Sequence, residues 1–224
     1  MSQISHPYGY RLVTLRDWKS RWFTSDRRKF RSLLRADTLL REYLEDKLQS
    51  SYVSNIEFER DRKATRLILT TSRPGVLIGR SGEGVQKIKS DVMSFMRRHN
   101  IETPTDLKID VVEVANPDAD AVHIAQSIAE SLRRRLPFRR VIKQALEKTM
   151  GARGVKGCRI VVSGLIGGSA TMKRREQLKK GSIPLQFIRA DIDYAYLPMK
   201  GHGIGIKVWI HKGDSLANNK ETAS

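Results

Sequence analysis

Apolar positions along the chain follow helical and strand-like periods in a regular order. From Asp26 onward Phe30, Leu33, Leu34, Leu40, Leu44 and Leu48 recur on one helical face with charged residues between them, which predicts a helix ending before Tyr52. The stretches "SNIEFER" and "ATRLILTT" then alternate apolar and polar positions about the turn "DRK", the pattern of a β-hairpin, and Pro74 with Gly75 stops its second strand. After one helical turn at Val76-Leu77-Ile78 and a glycine-rich loop, Val85, Ile88, Val92, Phe95, Met96 and His99 form a second helical stripe. "TPTD" breaks that helix, and "LKIDVVEV" sets Leu107, Ile109 and Val111 on one strand face.

The second half opens with "NPDADAVHIAQSIAESLRRRL", in which Asn116 is the expected N-cap and Pro117 the first helical position. Asp118 and Asp120 then match the positive end of the helix dipole, and Arg133, Arg134 and Arg135 its negative end. Pro137 starts another helix with the apolar face Phe138, Val141, Ile142, Ala145 and Leu146, closed by Gly151. Three strands are predicted after it, "CRIVVSG", "LQFIRADIDY" and "GIGIKVWIH". The pattern therefore predicts an α+β protein of two domains, residues 27–115 and 116–213, the second an α/β domain with two helices packed on a β-sheet. A basic, aromatic arm at 1–26 precedes them and a polar, flexible tail at 214–224 follows.

Charge narrows the function. Forty-two basic residues against 24 acidic ones give +18, which favours a polyanionic partner over an acidic metabolite, with nucleic acid ahead of an anionic membrane. The single cysteine excludes an internal disulfide, and no run of about 18 apolar residues offers a membrane span. The first residues show neither a secretory signal nor a transit peptide, so a cytoplasmic protein is expected. In the arm, Arg11, Arg16, Lys19 and Arg21 are mixed with Tyr8, Tyr10, Trp18, Trp22 and Phe23 without a sustained period. That mixture suits two readings equally: a segment ordered by RNA stacking and phosphate contacts, or an extension packed on its own domain.

The glycine-rich loop "RPGVLIGRSGEGVQKIK" lacks the Gly-Lys-Ser/Thr of a nucleotide-triphosphate loop, and it follows a helical turn where a dinucleotide fingerprint needs a strand. What remains is Gly79-Arg80-Ser81-Gly82 joining two helices. Such a loop can lie flush on a sugar-phosphate backbone while Arg80 and the next helix's amides meet the phosphates. With the helix-strand-strand element before it and the basic helix after it, the loop resembles that of a type II KH domain, of element order αββααβ.

"HPYGYRL", "SRWF", "RPGVLIGRSGEGVQKIK", "EVANPDADAVHIAQSIAESLRRRLPFRRVIKQALE", "GVKGCRIVVSG", "IPLQFIRADIDY" and "GIKVWIHKGD" fall in order over nearly the whole chain. Together they resemble the bacterial family of small-subunit ribosomal protein three. The resemblance implies a structural, two-domain protein in the head of the small subunit. It implies binding to ribosomal RNA, contact with small-subunit proteins ten and fourteen, and a share in the channel through which mRNA enters. In the family an arginine pair and a lysine line that entrance and assist unwinding of paired mRNA; the matching residues here are Arg139, Arg140 and Lys143, which the spacing alone puts on one side of a helix. Ribosomal RNA contacts are expected at Arg11, Arg21 and Trp22, and at the cationic cluster Lys173, Arg174, Arg175, Lys179 and Lys180, read as a loop or short helix. That cluster lies where the chain departs from the family. The usual "SGRLGGAEIARSE" is replaced by "SGLIGGSATMKRREQLKKGSIPL", with Leu165 in place of an arginine, and "AYLPMKGHG" is shortened.

No catalytic, cofactor or metal site is expected. The five histidines have no paired spacing, and Cys158 alternates with Ile160 and Val162 as a buried, inert thiol. Asp191 and Asp193 make a thin cation site, and pairing with Arg189 or Lys207 is the simpler expectation. A free KH protein acting on RNA and a metal-dependent nuclease are the competing readings.

Overall fold

The computed structural model describes residues 5–12, 14–61, 64–101, 106–167 and 172–214. They form two compact units, Trp18–Ala115 and Met1–Asp17 with Asn116–Ser224. The segment read as one arm, 1–26, is thus divided between them. The hairpin turn at 62–63, most of the "TPTD" break, and the tail from 215 onward lie outside the described residues.

In chain order the elements of the first half are α1 (Pro7–Tyr10), β1 (Ser20–Arg21), α2 (Arg27–Lys47), β2 (Val53–Arg60), β3 (Ala64–Thr71), α3 (Pro74–Ile78), α4 (Glu83–Arg98) and β4 (Asp106–Glu113). They are followed by α5 (Ala121–Arg133), α6 (Phe138–Gly151), β5 (Gly157–Gly164), β6 (Arg174–Gly181), β7 (Ala190–Met199) and β8 (Ile204–Asp214).

From α2 to β4 the first unit runs αββααβ, the type II KH order. Asp26 caps α2 by accepting the Arg28 amide at 2.9 Å. β2 and β3 pair antiparallel with Phe58 opposite Leu67, β4 runs parallel to β3, and β1 adds to the free edge of β2. Leu40, Leu44 and Leu48 meet Ile56, Phe58, Leu67 and Leu69 from the sheet and Ile88, Val92 and Met96 from α4. Phe30 and Leu34, expected on the same helical face, are exposed, because burial along α2 begins only at Ala36. Next to Ala36, the buried Asp37 carboxylate accepts from Arg60 Nε at 2.9 Å and from Trp22 Nε1 at 2.7 Å.

In the second unit α5 and α6 cover one face of an antiparallel sheet ordered β6-β5-β8-β7. Ile124, Ile128, Val141 and Ile142 pack there on Ile160, Val162, Ile206 and Val208. The helix cap is Asp120, which accepts the Val122 amide at 3.2 Å, and not Asn116: Pro117–Ala119 make a separate 3-10 turn first. Gly151 is helical and Ala152 ends α6; the left-handed residue lies further on, at Gly154.

Two strand expectations change. The cationic cluster forms neither a loop nor a helix but β6, an edge strand paired with β5 along its length. Five of its eight residues are charged and seven are exposed, so no apolar alternation marks it. "LQFIRADIDY" becomes a strand only at Ala190, because the carbonyls before it turn onto Arg11. That arginine is fully buried. Nε donates to Ala190 O at 2.6 Å, Nη1 to Pro7 O at 3.1 Å, and Nη2 to the carbonyls of Pro184, Leu185 and Phe187 at 3.4, 3.2 and 2.9 Å.

Candidate RNA-binding interface

The glycine loop is built by backbone geometry. Gly79 closes α3 at φ 70°, Ser81 lies at φ 52°, and Gly82 at φ 82° precedes α4 with no side-chain cap; the Glu83 amide, the first of α4, donates to Arg80 O. A Cβ on Gly82 would meet nothing within 4 Å, so this glycine is there for its left-handed backbone and leaves open space in front of the loop. Gly84 has a different task. A Cβ there would come within 2.2 Å of Leu77 O, so its absence lets α4 lie against α3. Arg80 is exposed at the loop's tip, and Val76 and Ile78 of α3 are 61% and 41% exposed beside it. Those two apolar residues look like ordinary helix-face positions in the sequence; their exposure beside the glycine loop is what the pattern alone did not give.

On α6 the amphipathic division is complete. Val141, Ile142 and Leu146 are buried, while the Arg139 and Lys143 side chains are 78% and 72% exposed and Arg140 is exposed beside them. Arg139 Nη2 lies 3.3 Å from Glu176 Oε1, and Lys143 Nζ lies 4.0 Å from Glu147. Arg140 has no ion pair among the described residues. Exposed pairs of this kind contribute about 0–1 kcal/mol, so a polyanion can displace them at little cost.

The register of β6 sorts the cationic cluster by face. Glu176 stands opposite Val162 and Lys180 opposite Cys158, which places Arg174, Glu176 and Lys180 on the side covered by the helices. Arg175 and Lys179, opposite Ser163 and Arg159, are on the other side. Arg174 therefore shares a surface with the basic face of α6, with Glu176 bridging the two elements. Lys173 is exposed just before the strand.

The turn from α5 to α6 adds a cation that sequence spacing had assigned to the dipole. Arg135 is left-handed at φ 57°, its amide donating to Leu132 O at 2.9 Å and the Leu136 amide to Ser131 O at 3.2 Å, a helix stop that normally uses glycine. Arg135→Gly is expected to raise the urea midpoint, corresponding to about 1 kcal/mol of added stability, by removing that strain. The chain keeps an exposed cation here at the expense of stability.

Three expected contacts are employed differently. Arg11 is a correction: with five carbonyls around a fully buried guanidinium, it has no surface to offer RNA. Burial lowers its pKa, Asp191 opposes that shift, and it remains a cation. Arg21 is partly exposed but paired with Glu57 and Glu59, and the Trp22 indole N–H is committed to Asp37.

The acidic candidates are also accounted for. Asp191 pairs with Arg16 at 2.7 Å, and Asp193 accepts from Lys212 Nζ at 3.0 Å and from the Ala121 amide at 3.2 Å, so their partners are neither Arg189 nor Lys207. Burial alone would push the Asp193 carboxyl up; Lys212, Arg16 and the Ala121 amide outweigh it and hold the group below its ordinary value. Burial pushes the Cys158 thiol up to about 12, against the opposing hydrogen bond with Thr149, which leaves it unreactive at neutral pH. No group of three or more His, Cys, Asp or Glu suited to a metal occurs among the described residues, and no described helix is long and apolar enough to cross a membrane.

Comparison with known proteins bears on the same two units. A KH domain family model matches residues 39–119, and the model of the ribosomal protein S3 C-terminal domain matches residues 128–210. The chain is 37% identical over 222 residues to small ribosomal subunit protein uS3 of Clostridium acetobutylicum, covering 98% of this chain and 96% of the relative. It is 40% identical over 223 residues to that of Pseudomonas aeruginosa, covering 99% and 93%, and 39% identical over 225 residues to that of Gloeothece citriformis, covering 100% and 90%.

Proposed function

We propose a specific role for this chain, which belongs to the uS3 family of small ribosomal subunit proteins: the basic face of α6 holds single-stranded mRNA where it enters the subunit. The family is structural, and the role needs no reaction. Arg139, Arg140 and Lys143, with Arg174 beside them, grip phosphates of one strand and so disfavour its re-pairing, without nucleotide hydrolysis. The observation that carries this reading is the exposure of three cations on a helix whose other face is fixed in the core, weakly held by exposed carboxylates or, for Arg140, by none among the described residues. A rigid helix presents them within about one turn, roughly 6 Å along the axis.

The other contacts belong to the same reading. The Gly79–Gly82 loop of the first unit, with Arg80, clamps ribosomal RNA backbone, and Lys173, Lys179 and Lys180 of the second unit neutralise ribosomal RNA phosphates at their own surface. The exposed Phe23 and Leu34 of the first unit and Phe187 of the second supply apolar surface for small-subunit proteins ten and fourteen.

The test is the triple variant Arg139→Ala, Arg140→Ala and Lys143→Ala. It is expected to melt like the parent, since all three side chains are exposed, and to lower the slope of log affinity for single-stranded RNA against log salt by about 2, the release of three counterion equivalents. Subunits carrying it are expected to translate a hairpin-containing message more slowly than the parent and an unstructured message at the same rate. Equal rates on both messages would overturn the role.

A further inference from the structure

We propose that the face of the second unit's sheet turned away from α5 and α6 is a stacking platform for unpaired nucleotides, a second RNA site distinct from the α6 face. Strand register puts its residues in place. Arg175 and Lys179 of β6, Arg159 of β5 and Lys207 of β8 all project from this face, together with the aromatic residues Tyr194, Tyr196 and Trp209. The three rows that hold them, from Arg175 across to Pro198, from Gln177 across to Tyr196 and from Lys179 across to Tyr194, contain no acidic residue. Four cations thus lie among three rings on a surface where neighbouring strands are about 4.8 Å apart.

The surface is concave. A cavity of 390 Å³ is lined by Arg159, Tyr194, Lys207 and Trp209 and walled on one side by Ser5, His6 and Pro7, with the His6 ring edge-on to Tyr194 at 4.9 Å, and one of 510 Å³ is lined by Lys173, Arg174, Tyr196 and Lys200. Both are bounded by Ser163 and Arg175, so they adjoin along the sheet. Between them the Tyr196 ring lies against Gly205, where a Cβ would come within 3.3 Å of the ring, and it is 55% exposed. Lys207 Nζ is 5.4 Å from its centroid. Trp209 forms the floor: it is buried under Arg159, whose Cζ is 5.1 Å from the ring centroid, and its indole N–H has no acceptor among the described residues.

A cation beside an exposed ring on a pleated surface fits one chemistry best. A base stacks on the open Tyr196 ring while its phosphate reaches the neighbouring ammonium or guanidinium, and the strand continues over the cations on either side. An acidic polypeptide would use the cations but leave the open Tyr196 ring without a planar partner. The inference rests on the chain working among RNA but not on the α6 role, because the two basic faces lie on opposite sides of one sheet.

The experiment uses the full-length chain carrying the α6 triple substitution, so that binding of a fluorescein-labelled oligouridylate reports the remaining sites. In that background Tyr196→Ala is expected to weaken binding about tenfold, Tyr196→Phe to leave it unchanged, and Lys207→Gln to lower the salt slope by about 0.7. Photo-crosslinking with 4-thiouridine is expected to label the peptides of β7 and β8. Unaltered affinity in a folded Tyr196→Ala protein, or crosslinks confined to the glycine loop, would overturn the platform while leaving the α6 role standing. Poly-glutamate competing as well as oligouridylate would also overturn it, in favour of an acidic protein partner. Normal binding by the triple substitution alone, with a Tyr196 effect, would remove the α6 role and keep the platform.

Discussion

Arg11→Met is expected to destabilise the second unit by about 3–5 kcal/mol. The side chain volume is nearly conserved, so the loss is in hydrogen bonding. Five backbone carbonyls lose their donor at once, three of them in the segment between Pro184 and Phe187 that leads into β7. Arg11→Lys is expected to recover little, because an ammonium has three donors at a point where the guanidinium spans carbonyls on several sides. Hydrogen exchange on the full-length chain should localise the change: amides of β7 and of residues 184–189 exchange faster, and those of β2 and β3 keep their protection. A stability change below about 1 kcal/mol would mean that water satisfies the carbonyls and that the arginine is dispensable. Reduced RNA binding by such a variant would report lost folding, not a lost phosphate contact.

The second large effect is expected in the first unit. Asp37→Ala removes the carboxylate that accepts from two neighbours at once, Arg60 and the Trp22 indole, and leaves a guanidinium whose side chain is 8% exposed without its counter-charge. Breaking a buried pair from one side costs about 3–5 kcal/mol, whereas replacing both members by apolar residues is often close to neutral. Asp37→Leu combined with Arg60→Met should therefore be much more stable than Asp37→Ala alone. Urea unfolding of the parent, both singles and the double closes the cycle. If the double is as unstable as Asp37→Ala, the cost comes from Trp22 or from packing, and the ion pair is not the anchor.

These two residues mark how far the sequence could be read. The helices and the hairpin were legible because their apolar positions repeat, and the KH order followed from them. The basic face of α6 was legible for the same reason: Arg139, Arg140 and Lys143 are opposite Val141 and Ile142 in any helix drawn through them. Arg11 was not legible, since nothing local distinguishes an arginine that will bind carbonyls more than 170 positions away from one that will meet a phosphate. β6 was missed because an edge strand with both faces accessible needs no apolar alternation. With the strand goes its register, and only the register separates Arg174 from Arg175 onto two faces. A block of like charge reads as one site in the sequence, and pairing turns it into two.

The composition of β6 has one more consequence. Its outer edge carries a row of backbone donors and acceptors with no strand beside it among the described residues, the template on which another chain's strand would add. A second copy arriving there would bring Arg174, Arg175, Lys179 and Lys180 against the same four residues, so self-association is opposed by charge at the place where geometry invites it. A nucleic acid relieves that repulsion where a sister chain compounds it. The charge of the cluster thereby opposes edge-to-edge pairing of two copies at β6.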